Sequence, residues 1–409
     1  MDVEQTACAS TPATHEHPLR NAAYRRWLIG SGISLLGDQF YLVALPWLVL
    51  EKLGSAATLG ALMMAGAIPR AALLLIGGVV TDRVSARWIM VVTAVTRALC
   101  VTATAMLVAR GELGIVAMYL LVVTFGIADA FAMPAQSAFL PSILRSEQLV
   151  AGSGLSQGVA QLSAIVGPAC AGLVIAKLGV TSAFYIDAVS FLFVIGALLR
   201  LPDPPRSATH ANAIKAMGDG IAYVMRDVPL RTMVLMAMMV NLCVAGPLTV
   251  GIANIAKVHL GSSSSYGVLV STAAAGGLVG AILAGVWRIK RRGLLILGGS
   301  ALLGMCLASI GIVPANLYSL SVVLALIGCV AGFINIHIGA WVMQRIDVGV
   351  RGRVSSVLIF ISLGAMPVSM GLAGFAVARN TSAMFLAAGI ALLCITAVAA
   401  KGASIRRIA

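Results

Sequence analysis

Four charged side chains lie deep inside long apolar runs: Asp38, Arg70, Arg97 and Asp129. At ~1.5 Å of rise per helical residue, each falls within about 5 Å of the midpoint of its run. A charge at the centre of a bilayer costs about 2.5–3.5 kcal/mol on insertion scales, so it faces either a partner or a wet cavity. A carboxylate that alternates between water and an apolar wall can take up and release a proton. That chemistry would make Asp38 the first proton carrier and Asp129 the second. In the other reading, both carboxylates simply pair with Arg70 and Arg97 and hold helices together. Asp187 sits nearer one end of its run, and the second half offers only Asn241, Asn335 and His337 at comparable depth.

Other chemistries find little support. Gly154-Leu-Ser156-Gln-Gly158 fits the hydrolase elbow Gly-x-Ser-x-Gly, but the elbow needs a strand–turn–helix and partner His and Asp residues. Here the motif falls in an apolar helix beside Gln157 and Gln161, which reads as a polar helix face. His337 stands alone, a packing residue or else a proton relay or substrate contact. The seven cysteines are widely spaced, and six lie in apolar runs, so neither a disulfide framework nor a metal site is expected. None of the six lysines is followed by Ser or Thr, as a nucleotide-phosphate loop would require. No clustered His, Asp or Cys ligands suggest an enzyme, and no cofactor is expected.

The elements that position these residues follow from composition. The 409 residues are 60% hydrophobic and only 10% charged, against about 25% charged in a soluble domain. Such a chain cannot cover a globule with polar surface. Roughly 20 apolar residues cross a bilayer, and runs bounded by Gly, Pro and charge give twelve candidate helices. The first six cover residues 27–50, 57–81, 88–109, 114–138, 152–178 and 181–200. The last six cover 232–258, 266–287, 293–313, 317–341, 354–378 and 382–400. Between the two sets lies the longest polar interruption. There Ile214, Met217, Ile221 and Val224 at helical spacing predict an amphipathic helix on the membrane surface. Residues 1–23 read as a solvated tail, neither signal nor transit peptide.

The net charge of +14 is distributed unevenly. Of 28 Lys and Arg, only Lys52, Arg110, Lys177, Lys257 and Arg379 fall in loops on one side, with Arg70 and Arg97 inside spans. Basic residues stay cytoplasmic, so both termini and the central linker are expected there. No basic stripe with interleaved aromatics suggests nucleic acid. The halves also echo each other: Gly126-Ile-Ala-Asp129 faces Gly332-Phe-Ile-Asn335, and Gly167, Pro168 and Gly172 face Gly364, Pro367, Gly371 and Gly374. Such repeats mark secondary transporters, in which one half rocks against the other around a central site.

The segment Gly78-Val-Val-Thr-Asp82-Arg83-Val-Ser-Ala-Arg87 resembles the loop signature of the major facilitator superfamily, Gly-x-x-x-Asp-Arg-x-Gly-Arg-Arg/Lys. Gly78, Asp82, Arg83 and Arg87 match, whereas Ser85 and Ala86 replace the usual Gly and Arg. Leu36-Gly-Asp38, Val43-Ala-Leu-Pro46, Met133-Pro-Ala135, Gly167-Pro168 and Arg351-Gly-Arg353 extend the resemblance over nearly the whole chain. The chain is similar to the branch holding enterobactin exporters and macrolide-efflux proteins. The resemblance implies that Gly78, Asp82, Arg83 and Arg87 form a latch closing the cytoplasmic side. The N-terminal dipole of the eleventh span would favour Asp82 there. Gly167-Pro168-Ala-Cys-Ala-Gly172 resembles an antiporter signature, with Ala171 replacing one Gly. The resemblance also places the first and fourth spans at the cavity and the third at the periphery, which makes Arg97 structural.

These readings converge on an all-α membrane protein with twelve transmembrane helices in two pseudo-symmetric six-helix bundles, residues 24–200 and 231–400. A linker spans 201–230 and a short tail 401–409. The expected activity is proton-coupled export of a small amphiphilic organic compound across the plasma membrane, the bacterial inner membrane, by a monomer. Importing, lysolipid flipping and, from another class, an intramembrane enzyme or sensor are the alternatives. Asp38, Gln39, Asp129 and Gln157 would line the cavity from the first half, and Asn241, Asn335 and Trp341 from the second.

Overall fold

Residues 17–201, 203, 213–287, 291–347 and 351–401 are described in the computed structural model. Most of the expected N-terminal tail and all but Lys401 of the C-terminal one lie outside them. In hydrocarbon a backbone N–H or C=O has no water to pair with, so a spanning segment must satisfy its hydrogen bonds internally. The described residues do so as helices. They are α1 (Ala22–Leu53), α2 (Ala56–Arg83), α3 (Ala86–Arg110), α4 (Ile115–Ile143), α5 (Leu149–Leu178) and α6 (Val180–Leu199) in the first half. The linker holds α7 (Ala213–Arg226). The second half has α8 (Val228–Leu260), α9 (Ser263–Val286), α10 (Arg292–Ile310), α11 (Leu317–Arg345), α12 (Arg351–Arg379) and α13 (Thr381–Lys401). Twelve of these are long and apolar enough to cross a membrane.

Several helices outrun the apolar runs that announce them. α1 begins at Ala22 rather than 27, α4 ends at Ile143 rather than 138, and α11 ends at Arg345 rather than 341. An apolar run measures the hydrocarbon, whereas the helix continues until a cap stops it. Asn21 caps α1, its Oδ1 accepting from the N–H groups of Ala23 and Tyr24. Asp227 caps α8 through the Leu230 N–H at 3.0 Å. At the other ends, Gly54 (φ 60°) and Gly261 (φ 61°) adopt the left-handed turn that ends a helix cheaply only when no Cβ is present.

Within the first half α1 packs on α5 and α6, α2 on α4 and α3 on α6; the second half repeats the last two pairings with α9 on α11 and α10 on α13. The linker helix α7 lies against α12, and its Val224 is buried with Leu230, Trp341, Val354 and Val357. The halves meet along two seams, α5 against α9 and α2 against α12. Both seams are built from small residues, which let backbones approach closely. A Cβ on Gly374 would lie 2.6 Å from Gly60 Cα, and one on Gly267 would strike the Pro168 carbonyl.

We call the end bearing the start of α1 and helix α7 the linker face, and the opposite end the far face. Among the described residues, every hydrogen bond between the halves lies between the midplane and the far face. The Gly172 carbonyl accepts from Ser263 and Ser264, the Ala169 N–H donates to Ser271 Oγ at 2.9 Å, and Gln161 Nε2 donates to the Ala274 carbonyl at 3.0 Å. Lys257 adds a cation–π contact with Trp47, 4.5 Å from the ring centre. The seam is therefore closed on the far side.

The seams also fix the register of the internal repeat. Gly60 against Gly374 and Gly267 against Gly172 are symmetry-related contacts. Carried along the helices, they match Gly126, which abuts Gly66, with Gly328, which abuts Ala273. The sequence echo paired Gly126 with Gly332, one turn away. Small residues recur at four-residue spacing in α11, so the pattern fits either turn; only backbone contact chooses.

Candidate functional site

The four deep charges meet. Arg97 on α3 stands at the centre, with its Nη1 3.1 Å from Asp129 Oδ1 on α4 and 3.8 Å from Asp38 Oδ1 on α1. Arg70 on α2 reaches Asp129 Oδ2 at 3.4 Å. Aromatic rings cover the Arg97 guanidinium, Phe191 at 4.8 Å and Phe125 at 5.8 Å from ring centre to Cζ. Its side chain is 8% exposed, that of Asp129 19%, that of Asp38 29%. A buried ion pair offsets its desolvation only when geometry and extra hydrogen bonds are good. By that measure Asp129, held by two guanidinium groups, is well compensated. Asp38 is not: it accepts no hydrogen bond among the described residues, and its single cation stays at 3.8 Å.

A cavity of about 360 Å³ runs from this network toward the linker face, within the ~300–1,000 Å³ typical of small-molecule sites. It lies wholly between helices of the first half. α1 contributes Trp27, Ser31, Ser34 and Asp38, spaced i, i+4, i+7 and i+11, hence on one helical face. Opposite them stand Thr93 and Arg97 on α3, Gln136 and Ser137 on α4, and Ser153, Ser156 and Gln157 on α5. Several of these hydroxyls spend their proton on their own helix. Ser31 donates to the Trp27 carbonyl (2.7 Å), Thr93 to Ile89 (2.8 Å), Ser137 to Met133 (3.2 Å) and Ser156 to Gly152 (3.0 Å). They turn oxygen lone pairs outward.

Of the residues singled out from sequence, Asp38, Arg97 and Gln157 line this cavity. Asp129 and Arg70 stand behind Arg97. Arg97, expected at the periphery because it is on α3, instead forms the cavity's inner end, since the long guanidinium side chain reaches past its own helix. Gln39 packs against Gly167 of α5 instead of facing the space. The second-half residues lie elsewhere. Asn241 donates to the Ala237 carbonyl in its own helix at 3.0 Å. Asn335 is exposed, and Trp341 is buried with the Arg345 guanidinium 5.4 Å over its ring. His337 has one ring nitrogen 3.0 Å from the Phe333 carbonyl and the other 3.2 Å from that of Trp287, tying α11 to the end of α9.

Asp82 and Arg83 are exposed at the linker-face end of α2, and nothing crowds Gly78. Arg87 is engaged, donating to the Leu198 and Leu199 carbonyls at 2.8 and 3.0 Å and so fastening α3 to α6. Gly167, Pro168 and Gly172 form the close contacts of α5 with α1 on one side and α9 on the other. Sequence reasoning noted Asp187 without giving it a role. It is fully buried, its Oδ1 3.4 Å from Ser190 Oγ, and a Cβ on Gly37 would lie 2.8 Å from that oxygen. It also missed the serines of α1, although their spacing from Asp38 was a readable signal.

Two six-helix halves, joined along small-residue seams and open beside a charged pocket, define a membrane transporter of the major facilitator type. The chain belongs to the Major Facilitator Superfamily, whose profile it matches over residues 27–370. It is 29% identical over 379 residues to the multidrug efflux pump Tap of Mycolicibacterium fortuitum, covering 89% of this chain and 91% of that protein. It is 26% identical over 394 residues to macrolide efflux protein A of Streptococcus pyogenes, covering 94% and 96%. Among solved structures, the nucleoside transporter NupG superposes with a TM-score of 0.74 at 14% identity, covering 93% of this chain and 98% of that one. A bacterial homologue of the lysosomal transporter Spinster, in an inward-facing and unoccupied conformation, gives 0.70 at 13% identity, covering 94% and 96%. At such identities these structures speak to the fold.

Proposed function

We propose that this transporter exports a small amphiphilic organic compound from the cytoplasm in exchange for protons, with Asp38 as the carboxyl that gains and loses the proton. The observation that carries the reading is the inequality between two carboxylates of one network. Asp129 is locked by Arg97 and Arg70, whereas Asp38 borders the cavity with one loosely held partner. A proton can be exchanged only where water reaches the group, and Asp38 has that access. Asp129 then acts as the anchor that keeps Arg97 in place. The names of the efflux relatives favour the outward direction. The concentration of Lys and Arg on the linker face favours that face as cytoplasmic, in the plasma membrane of a bacterium. The arrangement described is then open to the cytoplasm. Among the described residues Asp82 and Arg83 have no side-chain partner in it, and they engage the start of α12 when the cytoplasmic side closes.

The test is flux in proteoliposomes under an imposed pH difference, with a panel of amphiphilic antibiotics and dyes as cargo. Wild type should move cargo against its gradient, and Asp38→Asn should lose this while keeping its thermal transition. Full gradient-driven transport by Asp38→Asn would remove that residue from coupling. Cargo movement unaffected by pH or sodium gradients would remove exchange altogether.

A further inference from the structure

We propose that a groove on the lipid-facing side of the first half holds one acyl chain of an anionic phospholipid, with Arg83 binding the head group. The site is separate from the charged pocket and does not rest on the export reading. The groove measures about 350 Å³ and runs between α2, α3 and α4. Val80 and Val84 form one side, Ile127 and Phe131 the other, and Trp88 and Val92 lie between them. Trp88 and Val92 begin a stripe that continues through Val95 and Leu99, all four exposed and spaced i, i+4, i+7 and i+11. On a spanning helix an exposed apolar stripe is a membrane contact. The polar groups of the groove are already satisfied. Thr93, Thr96 and Thr124 donate to the carbonyls of Ile89, Val92 and Leu120 in their own helices, at 2.8, 2.9 and 2.7 Å. The depth suits a single leaflet. From Trp88 to Thr96 α3 rises ~12 Å, against about 15 Å for half of the hydrocarbon core.

The charge at the mouth selects the head group. Trp88 marks the membrane–water boundary, where such rings gather, and the Arg87 guanidinium lies 5.3 Å over its ring. Arg87 spends its donors on the Leu198 and Leu199 carbonyls. Arg83 has no side-chain partner among the described residues. It stands seven residues, about two turns, beyond the exposed Ile76, hence on the lipid-facing side of α2. The nearby acids are placed elsewhere. Asp82 stands eighteen residues, about five turns, beyond Met64, which packs on Gly371 of α12, so it belongs to the seam side. Asp203 accepts a hydrogen bond from Ser85. A cation without a protein counter-ion is therefore left at the mouth of the groove. An anionic head supplies its partner, whereas a zwitterionic head brings a second cation to it. Thr93 lies in the wall common to the groove and the charged pocket, so a seated chain would back the helix that carries Arg97. Closure of the latch would withdraw Arg83 from the lipid.

Native mass spectrometry tests this on the full protein, released from nanodiscs of equal parts phosphatidylglycerol, phosphatidylcholine and phosphatidylethanolamine. Wild type should retain phosphatidylglycerol about five-fold over either of the others. Arg83→Gln should bring that preference close to parity, while Arg226→Gln, at the end of α7, should keep it. Thr124→Phe fills the inner end of the groove without touching charge, and should lower the number of lipids retained by one. Equal retention of the three lipids by wild type, or a preference for phosphatidylethanolamine, overturns the site. So does a preference that survives in Arg83→Gln, an equal loss in Arg226→Gln, or full retention by Thr124→Phe. The wild-type comparison stands even if a variant does not fold.

Discussion

The two halves share a helix plan but not an electrostatic one. In the register set by Gly60 with Gly374 and Gly267 with Gly172, Asp129 corresponds to Ala331 and Arg70 to Gly277. What is a charged network in the first half is small or apolar in the second. The linker-face ends differ in the same spirit. Asn21 Nδ2 donates to the Ile143 carbonyl, joining the start of α1 to the end of α4 at 2.7 Å. At the matching place, Asp227 and Arg345 join α8 to α11 by a salt bridge of 2.8 Å. Among the described residues the ion pairs of the first half thus lie in its interior, and that of the second lies at its rim. A rocking mechanism needs only one half to change its charge state, and an apolar partner can serve as the rigid wall against which it moves.

Four substitutions test this division, beginning with the largest effect. Arg97→Leu removes the cation shared by Asp38 and Asp129; stranding a buried partner costs about 3–5 kcal/mol. Thermal unfolding in detergent should drop steeply, and transport should vanish. A stable Arg97→Leu protein would show that the network is not compensated as described. Ala331→Asp places at the matching site of the second half the charge that Asp129 carries in the first. With no arginine at the position matching Arg70, it should meet an insertion cost near the ~2.5–3.5 kcal/mol of an unpaired deep charge. Normal yield of that variant would mean the second half is wetter than its sequence suggests.

A milder change is Gly374→Leu on the α2–α12 seam. The added side chain would meet Gly60 and the Ala56 carbonyl. Overpacking of this kind costs ~1–3 kcal/mol, which should pry the far side open and shift the balance between facing states. Spin-label distances across the far face should lengthen; unchanged distances would show that the seam does not hold this state. Smallest is Asp227→Asn. Partial burial pushes the Asp227 carboxyl up, but hydrogen bonds from Arg345 and the Leu230 N–H, with the Arg345 charge, hold it below the usual range. A depressed carboxylate stabilises the fold above its ordinary value of 3.8 and loses that contribution as pH falls through the lower folded value. Wild type and Asp227→Asn should therefore differ by under about 1 kcal/mol at neutral pH, given the solvent exposure of the pair. Their melting curves should converge at strongly acidic pH. A gap that persists there would assign the effect to helix capping instead.

Much of the fold was legible because hydrocarbon leaves the backbone few options. Twelve apolar runs of sufficient length become twelve helices, and the polar interruption after α6 divides them evenly. The charged centre was legible too: Asp38, Arg70, Arg97 and Asp129 stand out since so few residues are charged. Their roles were not. Composition gives depth along a helix, not azimuth, so Gln39 and Gln157 looked alike until one packed on Gly167 and the other faced the cavity. Likewise Asn335 looked equivalent to Asp129 because small residues recur at every turn of α11, leaving the repeat register ambiguous by four residues.

The sequence by itself determined that the chain is a bundle of membrane helices with internal duplication and deep charges confined to one half. These properties depend on local composition, whose energetic consequences in lipid are large and additive along a helix. Only the tertiary structure decided which carboxylate is bound twice and which is left facing the pocket, that Arg97 reaches inward from a helix expected to be peripheral, and which side of the seam is shut. Those outcomes turn on distances between side chains on different helices, and no one-dimensional pattern encodes such distances.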